Sequence, residues 1–557
     1  MSRAFCTLAV ALLLLPVRPL AAQRAPALPS RAPSSLTAGL DRMFASVDSA
    51  TTPGCVVGAR RNGQTVIRSY GLANLEHRIP NDSLTVFEAG SVSKQFTAAA
   101  VLLLAQQGRI SLDDDVRRWI PELAPGLPQF TIRELLTHQA GLRDWGDVIA
   151  LSGWPRGTRE YTMPHMISLI ARQDALNFPA GTEYSYSNSN YLLAAEIVTR
   201  ASGESFASFS HRALFAPLGL VDTRWREDFR SVVPRRASAW TPDDVGHWQR
   251  DMPFENVVGP GGLLTTVPDL LRWNAHLDAP DVRSAAFARE MERAGVLRTN
   301  RRTAYALGLE LDSLGGARTV SHAGATAGYR AYTGRVPGRT ADVAVLCNAG
   351  SLNTESMGAE LLALVADLPS PPAEARPELG TAATDFARTR LAGTYRSRRT
   401  RQPVQVRAFI EGVSVNTWSG FRARSDGFSS TDGRRTIAFE GPLTLPAARY
   451  RVMTIDGDTV VYDRVEPWSP TRAQRLGFVG RYESADAEAS WRLFVRNDSL
   501  RVEVRRGVDF PLVARYRDAY SVSDQGWLLT FRRDARGRVM ALDVGSPRMR
   551  TMPFVRR

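Results

Sequence analysis

The chain has 557 residues, 44% hydrophobic and 23% charged, which is too long for one ordinary domain and too apolar to be disordered throughout. Its net charge of +14 is uneven: acids balance bases over residues 1–385, so the whole surplus lies in the arginine-rich residues 386–557. No aromatic-basic motif accompanies the surplus. A nucleic-acid partner is therefore not expected, and the surplus points to an anionic cell-surface polymer or lipid, or simply to a solvated arginine-rich surface.

Taken in chain order, residues 1–22 have the pattern of a cleaved signal peptide. Arg3 gives a positive start, Ala4 to Leu15 form a short apolar run, and Leu20-Ala21-Ala22 offers a cleavage end. Residues 23–36, rich in Pro, Ala, Arg and Ser, read as a disordered leader, and the mature protein is expected to be periplasmic or secreted. Cys55 and Cys347 each sit in an apolar, strand-like run. In an oxidising compartment they could pair; otherwise they are two buried thiols. Val56 to Ile67 reads as a hairpin turning at Asn62-Gly63. Val92–Gln107 reads as a helix ended by Gly108, with Phe96, Ala100, Leu103 and Leu104 on its apolar face. Thr131-Ile132-Arg133-Glu134 has the spacing of a capping box opening a short helix through Thr137.

Further helices are predicted at Tyr191–Ala201, Asp269–Leu277 and Glu355–Asp367, and strands at Arg318–Ser321, Tyr329–Val336 and Asp342–Leu346. Strands at both ends with helices between predict one sheet assembled from distant parts of the chain, covered by helices. This first domain spans residues 37–367, and the proline-rich residues 368–385 form a linker. Beyond it, short alternating strands separated by Gly, Asp and Ser turns read as all-β. A faint repeat relates Leu391-Ala392-Gly393-Thr394-Tyr395 to Phe478-Val479-Gly480-Arg481-Tyr482. It divides the region into modules at 386–470 and 471–557, forming two small barrels or one larger one.

Of the 70 basic residues, 69 are arginine, and the single lysine is Lys94, three positions after Ser91. Arginine is always protonated, whereas a lysine amine can be made neutral by burial and positive potential. A site needing a basic amine cannot accept arginine. Ser-x-x-Lys at a helix start puts both side chains on one face, with the helix dipole favouring negative charge at the serine. Two more elements are candidates. Gly181 to Tyr191 delivers Tyr186 and Asn188 just before a helix, and Ser321-His322-Ala323-Gly324 ends a strand. Each alone would be ordinary: a core tyrosine, an asparagine cap, a structural histidine.

Together, Ser91-Val92-Ser93-Lys94, Tyr186-Ser187-Asn188 and His322-Ala323-Gly324 resemble the serine β-lactamase and penicillin-binding-protein superfamily. The resemblance is to its class C-like branch of D-stereospecific peptidases and esterases, peptidase family S12. It covers roughly residues 37–365, with supporting runs at Leu135–Leu142 and Gly261–Thr266. It implies an α+β fold, an α/β sandwich with an antiparallel sheet flanked by helices, followed by lipocalin-like all-β modules. Ser91 would be the acylated nucleophile, Lys94 its base and Tyr186 the proton shuttle. Asn188, His322 and Gly324 would bind substrate, and Thr326 would give an oxyanion N–H beside that of Ser91.

His322 replaces a lysine that helps bind the substrate carboxylate in true β-lactamases, and Ala323 removes a hydroxyl, so efficient β-lactam hydrolysis is not expected. No metal or cofactor is implied, and the partner is a small-molecule or peptide substrate. The expected function is an exported serine hydrolase acting on a peptide or amide. The alternatives are an esterase of the same fold, a weak β-lactamase, or a wall- or lipid-binding protein with little catalysis.

Overall fold

The computed structural model describes residues 34–369 and 390–557, apart from 48, 155–156, 279–283, 410–411, 416–417, 425–426, 431–434, 441–446, 455–456 and 523–524. The expected signal peptide and most of the leader and linker lie outside the described residues.

Strands β1 (Cys55–Arg61) and β2 (Gln64–Tyr70) form the predicted hairpin. Asn62 and Gly63 at its tip have φ of 50° and 78°, the two positive angles a type I′ turn requires. Four strands follow late in the chain: β3 (Glu310–Leu314), β4 (Ala317–Thr326), β5 (Tyr329–Val336) and β6 (Ala341–Cys347). They complete one antiparallel sheet of order β3-β4-β5-β6-β1-β2. The seam between β6 and β1 therefore joins the two ends of this part of the chain. Every residue of β6 is buried, as a strand covered on both faces demands.

Seven of the helices bear on the site and its core: α1 (Ser34–Met43), α2 (Ser93–Gln106), α3 (Ile132–Leu136), α4 (Trp145–Ala150), α5 (Asn188–Ser202), α6 (Val267–Asp278) and α7 (Thr354–Val365). Strand alternation divides the core. Val57, Val343 and Val345 pack with Phe44, just after α1, and with Leu362 of α7, while Val56, Ala344 and Leu346 pack in the layer holding Phe96 of α2 and Trp273 of α6. The capping box at α3 is formed, with Thr131 Oγ1 accepting from Glu134 N–H and Glu134 Oε2 accepting from Thr131 N–H. Helix α2 departs from expectation. It is buried at every residue from Ser93 to Leu102 rather than along one stripe, because it runs through the core instead of lying on it.

Cys55 and Cys347 stand directly opposite each other on β1 and β6 and form a disulfide. The alternative of two free thiols is thereby corrected; the strand register that brings them together is not visible in spacing alone. The bond closes a loop of 292 residues, for which chain entropy alone gives a stabilisation of up to about 5 kcal/mol. Reduction by dithiothreitol is expected to lower the guanidinium unfolding midpoint markedly. Cys55→Ala/Cys347→Ala should then show no further response to the reductant, and an oxidised protein with the same midpoint as the reduced one would contradict this.

The C-terminal region is all-β and forms two units, not one barrel. Eight strands from Gly393–Ser397 to Thr459–Arg464 pair in sequence order, and the last returns to the first, closing a barrel with its own core. Nine strands from Gly480–Ser484 to Met552–Arg556 make a second sheet. The faint repeat has a physical meaning. Tyr395 and Tyr482 are both buried and donate to carbonyls four residues upstream, Leu391 at 3.0 Å and Phe478 at 2.9 Å. Each ring also carries a strand-end arginine, Arg464 and Arg556. The second unit is fused to the first domain. Trp491, Phe531 and Phe554 belong to the same core as α2 and α5, and Trp491 Nε1 donates to Leu151 O at 2.7 Å.

Candidate active site

Ser91 sits in a turn that immediately precedes α2, on a backbone bent by Gly90 at φ 51°. The turn is pressed against β4. A Cβ on Gly324 would stand 2.1 Å from Ala89 O, and one on Gly90 would stand 2.6 Å from Ala325 N. Glycine at 324 therefore serves the close approach of the nucleophile turn to the strand. The edge of β4 is open there, since β3 pairs with it only as far as Ser321. Ala325 has its backbone against the nucleophile turn, and Thr326, the expected oxyanion donor, lines the cavity one residue further on. An N–H aimed at a developing oxyanion contributes about 3 kcal/mol.

One turn into α2, Lys94 is completely buried. Its Nζ lies 3.0 Å from Ser91 Oγ, 2.9 Å from Asn188 Oδ1 and 2.8 Å from the Pro260 carbonyl. Burial holds its pKa well below the usual lysine value, with Arg548 adding to the effect and Asp144 opposing it. A neutral amine has two N–H bonds, and Asn188 Oδ1 and Pro260 O can only accept. Its lone pair is then left facing the Ser91 hydroxyl. That is the geometry of a general base.

The Tyr186 hydroxyl lies close enough to Ser91 to be influenced by it, and its ring lies under Lys94 Nζ at 4.7 Å. Burial pushes the phenol pKa up, while Ser91 and Arg548 pull it down. Asn188 is the first residue of α5, and Asp144 Oδ2 accepts from its backbone N–H at 2.7 Å. The same carboxylate caps α4, accepting from Gly146 N–H. Asp144 thus ties α4 and α5 together beside the lysine.

His322 was expected to bind substrate, and the structure places it behind the cavity wall. It is 2% exposed and does not line the cavity. Its Nδ1 is 2.6 Å from the Ala323 carbonyl and must carry the proton, so Nε2 accepts from the Tyr305 hydroxyl at 2.9 Å. Burial and Lys94 push its pKa down to about 3. It is a neutral prop behind Tyr186, 6.2 Å between ring centroids. Sequence reading placed it at a strand end, whereas it lies inside β4.

Three groups at the site were given no role from the sequence, although His138 lies in the supporting run Leu135–Leu142. His138, at φ 57°, stacks 4.3 Å from Tyr186 and accepts from Ser187 N–H and Asn190 Nδ2 through Nδ1. Asp144 could be read only as an ordinary helix cap. Arg548 comes from the second β unit, with its guanidinium 5.0 Å from the Tyr186 ring centroid. Nothing in the sequence joins residue 548 to residue 186.

A cavity of about 610 Å³ opens over Ser91. Its wall is shared: Trp145, Trp154 and Tyr161 come from the first domain, and Val504, Phe510 and Trp527 from the second β unit.

Fold and cluster together define a serine hydrolase in which a buried lysine and a tyrosine attend the nucleophile. Residues 40–367 match the family described as Beta-lactamase, and the chain belongs to that family. Among curated relatives, a D-aminopeptidase of Cereibacter sphaeroides is 28% identical over 318 residues, covering 56% of this chain and 61% of the relative. A D-aminopeptidase of Gluconobacter oxydans is 28% identical over 360 residues, covering 62% and 64%. The chain thus spans less than two thirds of these relatives. Among solved structures, the octameric penicillin-binding protein homologue from Pyrococcus abyssi is similar in fold, with TM-score 0.54 and 20% identity over 85% of this chain and 98% of that one. The D-amino acid amidase from Ochrobactrum anthropi SV3 gives 0.51 and 22%, covering 60% and 99%.

Proposed function

We propose that this protein is an exported hydrolase that cleaves D-residue peptides or amides through a Ser91 acyl-enzyme, taking a bulky apolar group into the shared cavity. The observation that carries the reading is the three-way setting of Lys94 Nζ, within hydrogen-bond reach of Ser91 Oγ, Asn188 Oδ1 and the Pro260 carbonyl. In acylation, Ser91 Oγ bonds to the substrate carbonyl carbon and its proton passes to Lys94 or Tyr186. The oxyanion rests on N–H groups of Ser91 and the Ala325–Thr326 segment. Collapse breaks the C–N bond, and the departing amine takes the proton. Water then repeats the sequence on the ester, restoring Ser91. The D-aminopeptidase relatives support a D-residue substrate, and the aromatic wall of Trp145, Trp154, Phe510 and Trp527 supports a large apolar group. Export is supported by the signal-like residues 1–22 and by the disulfide, which persists in oxidising compartments.

A fluorophosphonate probe should label Ser91, found by mass spectrometry, and Ser91→Ala should lose both label and turnover. Among D-amino acid p-nitroanilides, D-phenylalanine should be preferred to D-alanine and to the L-isomers. Turnover of aryl esters with no amide cleavage would replace this reading by the esterase.

A further inference from the structure

The second β unit does more than wall the cavity. Its segment between strands Val539–Gly545 and Met552–Arg556 reaches the catalytic cluster and is pinned there by main-chain bonds. The Arg548 carbonyl accepts from Asp144 N–H at 3.2 Å and from Asn177 Nδ2 at 2.9 Å. On either side, Ser546 Oγ bonds Asp147, and Arg550 pairs with Glu183 at 2.8 Å. Met549 is fully buried. The Arg548 side chain is thereby carried to the Tyr186 ring without needing an anchor of its own. Among the described residues its guanidinium forms no ion pair within 4 Å, although the Asp147 carboxylate, which accepts from the Arg548 backbone N–H, lies near enough to feel its charge; the buried Arg226 near the cavity is by contrast paired with Glu88.

We propose that Arg548 is the fixed positive charge of this active site, a positioning residue delivered by the C-terminal unit that acts through Tyr186 and Lys94. The inference rests on the Ser91 acyl-enzyme reading.

The groups around Tyr186 explain why such a charge is needed. From the first domain it meets Lys94 on α2, His138 after α3 and Asp144 at the start of α4. Tyr305, His322 and, on β3, Glu310 face it from the sheet side, with Tyr184 and Tyr191 flanking on its own segment. The two histidines are held neutral by burial and Lys94 is shifted towards neutrality. Asp144 and Glu310 oppose a phenolate and favour an ammonium. Arg548 acts against both effects: it favours the Tyr186 anion that forms when the Ser91 proton moves, and it favours the neutral Lys94 amine. The sign is fixed. Removing the charge raises the pKa of Lys94, so the amine is protonated at a higher pH and the acid limb of activity moves upward.

The test uses the full chain with a D-phenylalanine p-nitroanilide substrate and compares wild type with Arg548→Met, Arg548→Gln and Arg548→Lys. In both neutral variants the acid limb of kcat/KM should move up by about one pH unit, and kcat at neutral pH should fall roughly tenfold. Arg548→Lys should keep the wild-type limb. Thermal midpoints should be unchanged, because the segment is held by its main chain. Superimposable pH profiles in a folded Met or Gln variant would overturn the proposal. So would a rise in KM with kcat and the limb unchanged, which would make Arg548 a substrate contact. Ser91→Ala is run alongside: turnover there would sink the acyl-enzyme reading itself, while a dead Ser91→Ala with unaltered Arg548 variants would sink this inference alone.

Discussion

Lys94→Arg is expected to abolish acylation of Ser91, with a fall in turnover of roughly four orders of magnitude. Arginine occupies all 69 other basic positions of the chain, so the exchange is the one its composition most readily accepts. At this position it fails for two reasons. A guanidinium stays protonated and offers no lone pair to the Ser91 hydroxyl. It is also planar and larger, while Nζ fits between Asn188 Oδ1 and the Pro260 carbonyl in a fully buried site. Labelling by a fluorophosphonate, followed over hours, reads acylation directly. Near-normal labelling of a folded Lys94→Arg protein would remove Lys94 from the mechanism and make its position in the chain accidental.

The second large effect concerns the boundary of the enzyme. Residues 34–369 hold Ser91, Lys94, Tyr186 and Asn188, and the family match ends at residue 367. Even so, a chain ended there is expected to be insoluble or inactive. The apolar core of α2 and α5 continues into the second β unit through Trp491, Phe531 and Phe554. Truncation would expose that face and remove the part of the cavity wall that includes Val504, Phe510 and Trp527. Trp491→Ala is the point version: it removes a fully buried indole and its bond to Leu151 O and should cost about 3–5 kcal/mol. Denaturant titration of the point variant and solubility of the truncated chain check this. A soluble, fully active truncated protein would show that the second unit is accessory.

Much of this was legible in the sequence. The hairpin at Asn62-Gly63, the capping box at Thr131 and the Ser91–Lys94 unit are local patterns whose physics lies within a few residues. Tyr186 and Asn188 gained meaning only from the resemblance, and the structure brings both to Lys94. What stayed hidden depends on contacts between distant segments. His322 has the sequence of a substrate-facing residue, but Tyr305 and burial withdraw it from the cavity. Cys55 and Cys347 gave two readings until strand register brought them opposite each other. Arg548 was one of 32 arginines in the C-terminal third, with no mark to separate it from the others.

The seam between β6 and β1 also fixes an order of events. β1 lies near the beginning of the described chain, yet one of its two sheet neighbours begins 280 residues later, at Ala341. The β1–β2 hairpin can form early, but it remains an exposed two-stranded ribbon until that later strand is made. Pairings of such sequence separation are slow to close. The nucleophile turn, held between β4 and α2, cannot be completed before then. A nascent chain therefore has no assembled catalytic centre until that distant strand has been made.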